Sequence, residues 1–173
     1  MKCLASGLAG MALVVLAGVA PVQAQGVRFG LGAGPTFNLE EGGGTDIHAM
    51  GTLAFGGSPD QPLGFRVDGQ WQFAEGGDII SGTGNLVYNF SVSDETKFRP
   101  YLIGGGGAYY FNPDNDLIDS STDFGINAGA GFTVPVGSGS MKLFGEARFH
   151  NIFTEDESTN LLPVTLGIMF GGS

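Results

Sequence analysis

The chain has 173 residues, 32 of them glycine, one cysteine and a formal net charge of −10. An acidic balance excludes nucleic-acid binding, which needs a basic face. The lone cysteine, Cys3, excludes a disulfide framework, a cysteine-based metal site and a thiol nucleophile.

The first 24 residues read as a cleaved secretory signal. Lys2 gives a positive start, Leu8 to Ala20 form an apolar run, and Pro21 breaks it. Val22-Gln23-Ala24 then offers small residues for cleavage between Ala24 and Gln25. The apolar run is short for a spanning helix, and Cys3 lacks the preceding residues of a lipoprotein signal. Residues 25–173 are then one domain of about 150 residues, a usual single-domain length. Removing Lys2 makes it one charge more acidic.

Beyond Ala24 the recurring pattern is period-two alternation, which marks strands with two unlike faces. The first run sets Val27, Phe29, Leu31, Ala33 and Phe37 against Arg28, Gly30, Gly32, Gly34 and Thr36. The second sets Ile47, Ala49, Leu53 and Phe55 against His48, Met50, Thr52 and Ala54. In the third, Leu63, Phe65, Val67, Trp71 and Phe73 oppose Arg66, Asp68, Gln70 and Gln72. The fourth opposes Ile80, Leu86, Tyr88 and Phe90 to Ser81, Thr83, Asn85 and Asn89. The fifth, Phe98 to Phe111, carries Tyr101, Ile103, Tyr109 and Phe111 on its apolar face around Gly104-Gly105-Gly106-Gly107. The sixth alternates from Phe124 to Val134, with Asn127 among the polar positions. The seventh sets Leu143, Ala147 and Phe149 against Lys142, Glu146, Arg148 and His150. The eighth carries Leu162, Val164, Leu166, Ile168 and Phe170.

Eight runs of about ten residues match strands that cross a bilayer at a tilt. The fold class expected is all-β, an eight-stranded antiparallel up-and-down transmembrane barrel. Most of the 17 acidic residues fall in the connections after runs one, three, five and seven. That gives an acidic, longer-looped end, and an even strand count puts both termini at the other, periplasmic end. No peptidoglycan-anchoring domain is expected after Phe170.

The apolar faces should point outward. A soluble barrel would bury them and cover its exterior with charge, whereas here the polar faces are Gly, Thr, Asn and Gln with few charges. Such faces suit a narrow lumen, since eight strands leave room for little but side chains. Closure also removes the sheet edges that lipid cannot satisfy. Aromatics at both ends of the runs, Tyr101, Tyr109 and Phe111 among them, would form two interfacial girdles.

Leu63-Gly-Phe-Arg-Val-Asp-Gly69, Gly84-Asn-Leu-Val-Tyr88, Pro100-Tyr-Leu-Ile-Gly-Gly-Gly-Gly107 and Gly125-Ile-Asn-Ala-Gly-Ala-Gly131 resemble the OmpA/OmpX-type outer-membrane β-barrel superfamily. The resemblance spans the mature chain. It implies an eight-stranded barrel in the cell outer membrane with a structural, adhesive, stress-related or immune-facing role. Thr165-Leu-Gly-Ile-Met-Phe170 resembles the family's C-terminal assembly signal, which implies contact with the barrel-assembly machinery. Here Gly171-Gly172-Ser173 follow where an aromatic usually closes the chain.

Arg66 and Asp68 on the third run face Glu146 and Arg148 on the seventh across the lumen, at similar heights. Unpaired charges there are costly, so an ionic network is expected. Arg28 and Lys142 sit nearer the periplasmic mouth, and Gln70, Asn85 and Asn127 fill around the network. It is either a solid plug, which the narrow bore favours, or a narrow channel for small or hydrophobic solutes. Catalysis, as in lipid A-modifying barrels, would need a nucleophile beside a base. His150 and Glu146 stand roughly 13 Å apart at strand rise, and neither His150 nor His48 has a neighbouring serine on its strand. Asp114-Asn-Asp116-Leu-Ile-Asp119 offers oxygen ligands but lacks the glycine and terminal glutamate of a calcium loop. Divalent ions could still bridge it to lipopolysaccharide. The reading is thus a non-enzymatic, cofactor-free, monomeric barrel whose partners are outer-membrane lipid, lipopolysaccharide and a surface ligand that the sequence does not name.

Overall fold

A computed structural model describes residues 26–57, 61–92, 97–115, 119–137, 140–154 and 158–171. The expected signal, its cleavage point at Ala24 and Gln25, Asp116 and the last two residues lie outside these. Eight strands follow one another: β1 (Arg28–Asn38), β2 (Thr45–Gly56), β3 (Leu63–Ala74), β4 (Gly77–Asn89), β5 (Arg99–Pro113), β6 (Ser121–Pro135), β7 (Met141–Phe153) and β8 (Ser158–Phe170). Each pairs antiparallel with the next, and β8 pairs with β1, so the sheet closes as an up-and-down barrel.

Alternation fixes which way each strand turns. On β3, Arg66, Asp68, Gln70 and Gln72 are buried while Leu63, Trp71 and Phe73 are exposed. A register slip of one residue would exchange those faces. The β3–β4 pairing runs unbroken from Leu63↔Tyr88 to Ala74↔Gly77, and Glu75-Gly76 alone turns the chain. Gly76 has φ +93°, a conformation that glycine adopts without steric cost. The closing seam is less regular. Between β1 and β8 the ladder steps from Ala33↔Leu166 to Thr36↔Pro163. Pro35 and Pro163 each lack the N–H a continuous ladder needs.

The outward face forms an apolar belt. Leu31, Ile47, Leu86, Phe124 and Leu166 are all more than half exposed. A contiguous surface of this kind marks an interaction with another apolar phase. Aromatic pairs border it: Phe29 stacks on Phe170 at the end holding the termini, and Trp71 on Phe73 at the acidic end, both with centroids 5.2 Å apart.

Two expectations need correction. On β5, Tyr101, Ile103 and Tyr109 are buried inside, Phe111 shares their phase, and Leu102 and Tyr110 face out. Four consecutive glycines carry no phase, and the tyrosine hydroxyls find polar partners only in the lumen. Nor is the acidic end longer-looped. Its connections are 39–44, 75–76, 114–120 and 154–157, against 57–62, 90–98 and 136–140 at the other end. Asp46, Asp78 and Asp123 belong to paired strand ends rather than loops. Polar residues continue the ladder past the apolar belt, which is why alternation alone ended the strands early.

Candidate functional site

Period-two geometry puts Arg66 and Asp68 on the inward face of β3, and Glu146 and Arg148 on that of β7. Closure sets β3 and β7 opposite each other, and their side chains meet in an alternating ring. Arg66 Nε lies 3.0 Å from an Asp68 oxygen, and its terminal amine donates to Glu146 at 2.7 Å. Arg148 donates to Asp68 at 2.9 Å, and its Nε lies 2.7 Å from the Glu146 oxygen that Arg66 also meets. Side-chain exposure is 1–3%, so the charges sit almost wholly out of water. Two guanidiniums and two carboxylates cancel in formal charge, which is how buried ions become tolerable.

Neutral groups complete the ring. Tyr101 donates its hydroxyl to the second Glu146 oxygen at 2.7 Å. Asn85 donates to Asp68 at 2.9 Å and to Thr83 at 3.0 Å, and an Arg148 amine points at the Met50 sulfur at 3.1 Å. Glycine makes space for these long side chains. A Cβ at Gly131 would stand 2.4 Å from the Tyr101 ring, and one at Gly129 would stand 2.6 Å from Arg148 Cγ. Glycine abundance, which on composition alone suggests disorder, therefore serves close packing inside a narrow barrel.

The two histidines are held differently. His48 is fully buried between Thr36 Oγ1 at 2.9 Å and Thr165 Oγ1 at 2.8 Å. Its own strand offers no such partner; Thr36 reaches it from the adjacent β1, and Thr165 from β8 beyond the closing seam. His150 Nδ1 lies 2.8 Å from the Tyr109 hydroxyl, with the rings edge to face. No serine side chain is bonded to either ring among the described residues. Apolar clusters flank the ring: Met50, Phe144 and Met169, and, toward the acidic end, Tyr109, Ile152 and Leu161 with Ile79 against them.

The two mouths carry opposite charge. Toward the termini, Arg28 donates to the Gly56 carbonyl, and Arg99 and Lys142 occupy inward-phase positions nearby. At the other end a vestibule of about 320 Å³ is bounded by Glu40, Asp46, Glu75 and Asp123. Gln70 and Asn127 line the lumen between, buried as inward-phase residues. Of the loop carboxylates considered as ion ligands, Asp114 and Asp119 are described and Asp116 is not. Among the described residues no three His, Cys, Asp or Glu side chains converge as a metal site would require.

No protein-family model and no curated protein matches the chain in sequence. Its fold is the OmpA/OmpX-like one, the closed antiparallel eight-strand barrel of small outer-membrane proteins. Neisserial surface protein A superposes with a TM-score of 0.68 at 14% identity, over 85% of this chain and 97% of that one. The attachment invasion locus protein Ail of Yersinia pestis gives 0.57 at 11% identity, over 85% and 98%. The outer membrane enzyme PagL gives 0.50 at 16% identity, over 84% and 98%. These similar barrels include a surface protein, an attachment invasion locus protein and an enzyme, so the shared fold does not choose among those roles.

Proposed function

We propose that this chain is a non-enzymatic outer-membrane barrel, closed to solutes by its own side chains, that serves envelope integrity or surface interaction through its acidic end. The observation that carries the reading is the pairing of a charge-neutral ring inside with an apolar, aromatic-bordered belt outside. The belt needs a bilayer around it. The ring and its flanking apolar clusters fill the bore. Both termini then face the periplasm and the acidic connections face outward, with outer-membrane lipid and lipopolysaccharide around the belt and the barrel-assembly machinery acting during biogenesis. A monomer satisfies every strand edge.

A catalytic reading lacks support from the site. Both histidines are buried among threonine, tyrosine and apolar groups, away from the lipid face where an acyl chain would arrive. Two measurements test the proposal. The unboiled protein should migrate differently from the boiled protein on a detergent gel and fractionate with outer membranes. Lipid A from cells with and without the protein should have the same mass spectrum. Absence of a migration shift would defeat the membrane barrel, and an altered lipid A would defeat the non-enzymatic reading.

A further inference from the structure

The mouth at the end holding the termini is built unlike the ion ring. Arg28, Arg99 and Lys142 reach it from β1, β5 and β7 on the inward phase of their strands, each partly buried. The two guanidiniums stand close enough to Lys142 to oppose its charge. Among the described residues none of the three pairs with a carboxylate. Between this mouth and the ring lies a cavity of about 40 Å³, lined by Arg28 and Arg66 with Asn89, Tyr101 and Thr133 as its neutral polar groups. None of its described lining residues is acidic. Arg66 is 2% exposed, and it gives Nε to Asp68 and Nη2 to Glu146. Its Nη1 bonds to nothing among the described residues, and it is not sealed off as Arg28 Nε is. An acceptor entering the cavity meets a free N–H on an otherwise buried guanidinium.

We propose that this mouth binds a small oxyanion of the phosphate class, held between Arg28 and Arg66, with Arg99 and Lys142 adding to the field. The ring cancels its own charge, so Arg66 contributes a donor, and the three cations at the rim contribute the attraction. Charge of one sign over low-dielectric walls, here Ala54, Val87 and Met169, concentrates counter-ions. Guanidinium forks match paired oxygens, which favours an oxyanion over a halide. A water needs about 10–15 Å³, so the cavity has room for about three atoms of that size, enough for the oxygens a phosphate group turns toward its donors. An anionic phospholipid headgroup and a free phosphate share this chemistry. That the mouth faces the periplasm rests on the function proposed above; the anion chemistry rests only on the barrel.

Titration calorimetry on the full folded barrel in a non-ionic maltoside detergent, corrected against empty micelles, tests the site. The ligands are inorganic phosphate, chloride, dihexanoyl phosphatidylglycerol and dihexanoyl phosphatidylcholine. Saturable binding of phosphate is expected, with chloride weaker by about tenfold or more. Arg28→Gln combined with Lys142→Gln should weaken phosphate by about tenfold or more while the gel-migration shift persists. Thr133→Val should weaken it to a smaller degree. Phosphatidylglycerol binding tighter than phosphate, with no heat from phosphatidylcholine, assigns the site to lipid headgroups; the reverse order assigns it to a free anion. Equal affinity for phosphate and chloride, affinity untouched by the double change, or no saturable binding at millimolar phosphate would each overturn the proposal. So would binding that appears only when Asp60→Asn, Asp94→Asn and Glu95→Gln are combined, since the chain's own connections would then supply the counter-charge. Loss of the migration shift in the unaltered protein would instead strike the barrel reading itself.

Discussion

The centre of the lumen and its acidic mouth use the same chemical group in opposite ways. Asp68 and Glu146 are each met by two guanidiniums and buried with them. Asp46 and Asp123 meet an amide and a hydroxyl, and no guanidinium is paired with either among the described residues. The difference teaches that placement relative to cations, rather than acidity, decides whether a carboxylate holds the barrel together or presents a field. An apolar layer of Tyr109, Ile152 and Leu161 keeps the two populations apart.

The sharpest way to break this contrast is to remove one ring member. Arg148→Met leaves Asp68 and Glu146 sharing one cation, and should cost about 3–5 kcal/mol, the penalty of an uncompensated buried charge. Urea unfolding in detergent micelles reads it; a loss below about 1 kcal/mol, typical of exposed pairs, would place the ring energetically with the mouth. Gly131→Val comes next. Its Cβ enters the Tyr101 ring, and displacing that ring from Glu146 should cost about 1–3 kcal/mol, as overpacking does. The same unfolding curve checks it, and loss of the Tyr101 contribution to near-ultraviolet dichroism should accompany it.

Coupling sharpens the comparison further. Arg148→Met combined with Glu146→Leu removes one charge of each sign and should cost less than the two single changes together, by about 0.5–3 kcal/mol. Strict additivity would mean that the ring does not act as a unit. Smallest of all, Asp46→Asn should move the unfolding midpoint little, within about 0.5 kcal/mol, as surface changes usually do.

Much of this was legible in the chain. The strand number, and the inward phase of Arg66, Asp68, Glu146 and Arg148, follow from alternation. That these four could face one another follows from an eight-strand closure. Strand five was not legible from its apolar residues, because Gly104 to Gly107 erase the phase between Tyr101 and Tyr109. Arg99 shares the phase of Tyr101, and a charge on that register was the available signal that the tyrosines point inward. The setting of His48 had no local signal. Thr36 approaches it across the β1–β2 pairing, but Thr165 does so only because β8 closes on β1, which brings residue 165 to residue 48. Glycine's role was also hidden, since the clash a Cβ at Gly131 would make is with Tyr101 on the neighbouring strand. The vestibule likewise needs three dimensions, because its floor draws Ile79, Tyr109, Ile152 and Leu161 from four strands.

The central claim is that the ion ring closes the bore, so that this barrel is a filled structure rather than a pore. Single-channel recording of the purified protein in planar bilayers tests it most directly, with Arg148→Ala beside it as a variant in which the ring is opened. The account predicts a silent unaltered protein. Discrete, reproducible openings of the unaltered protein would contradict it.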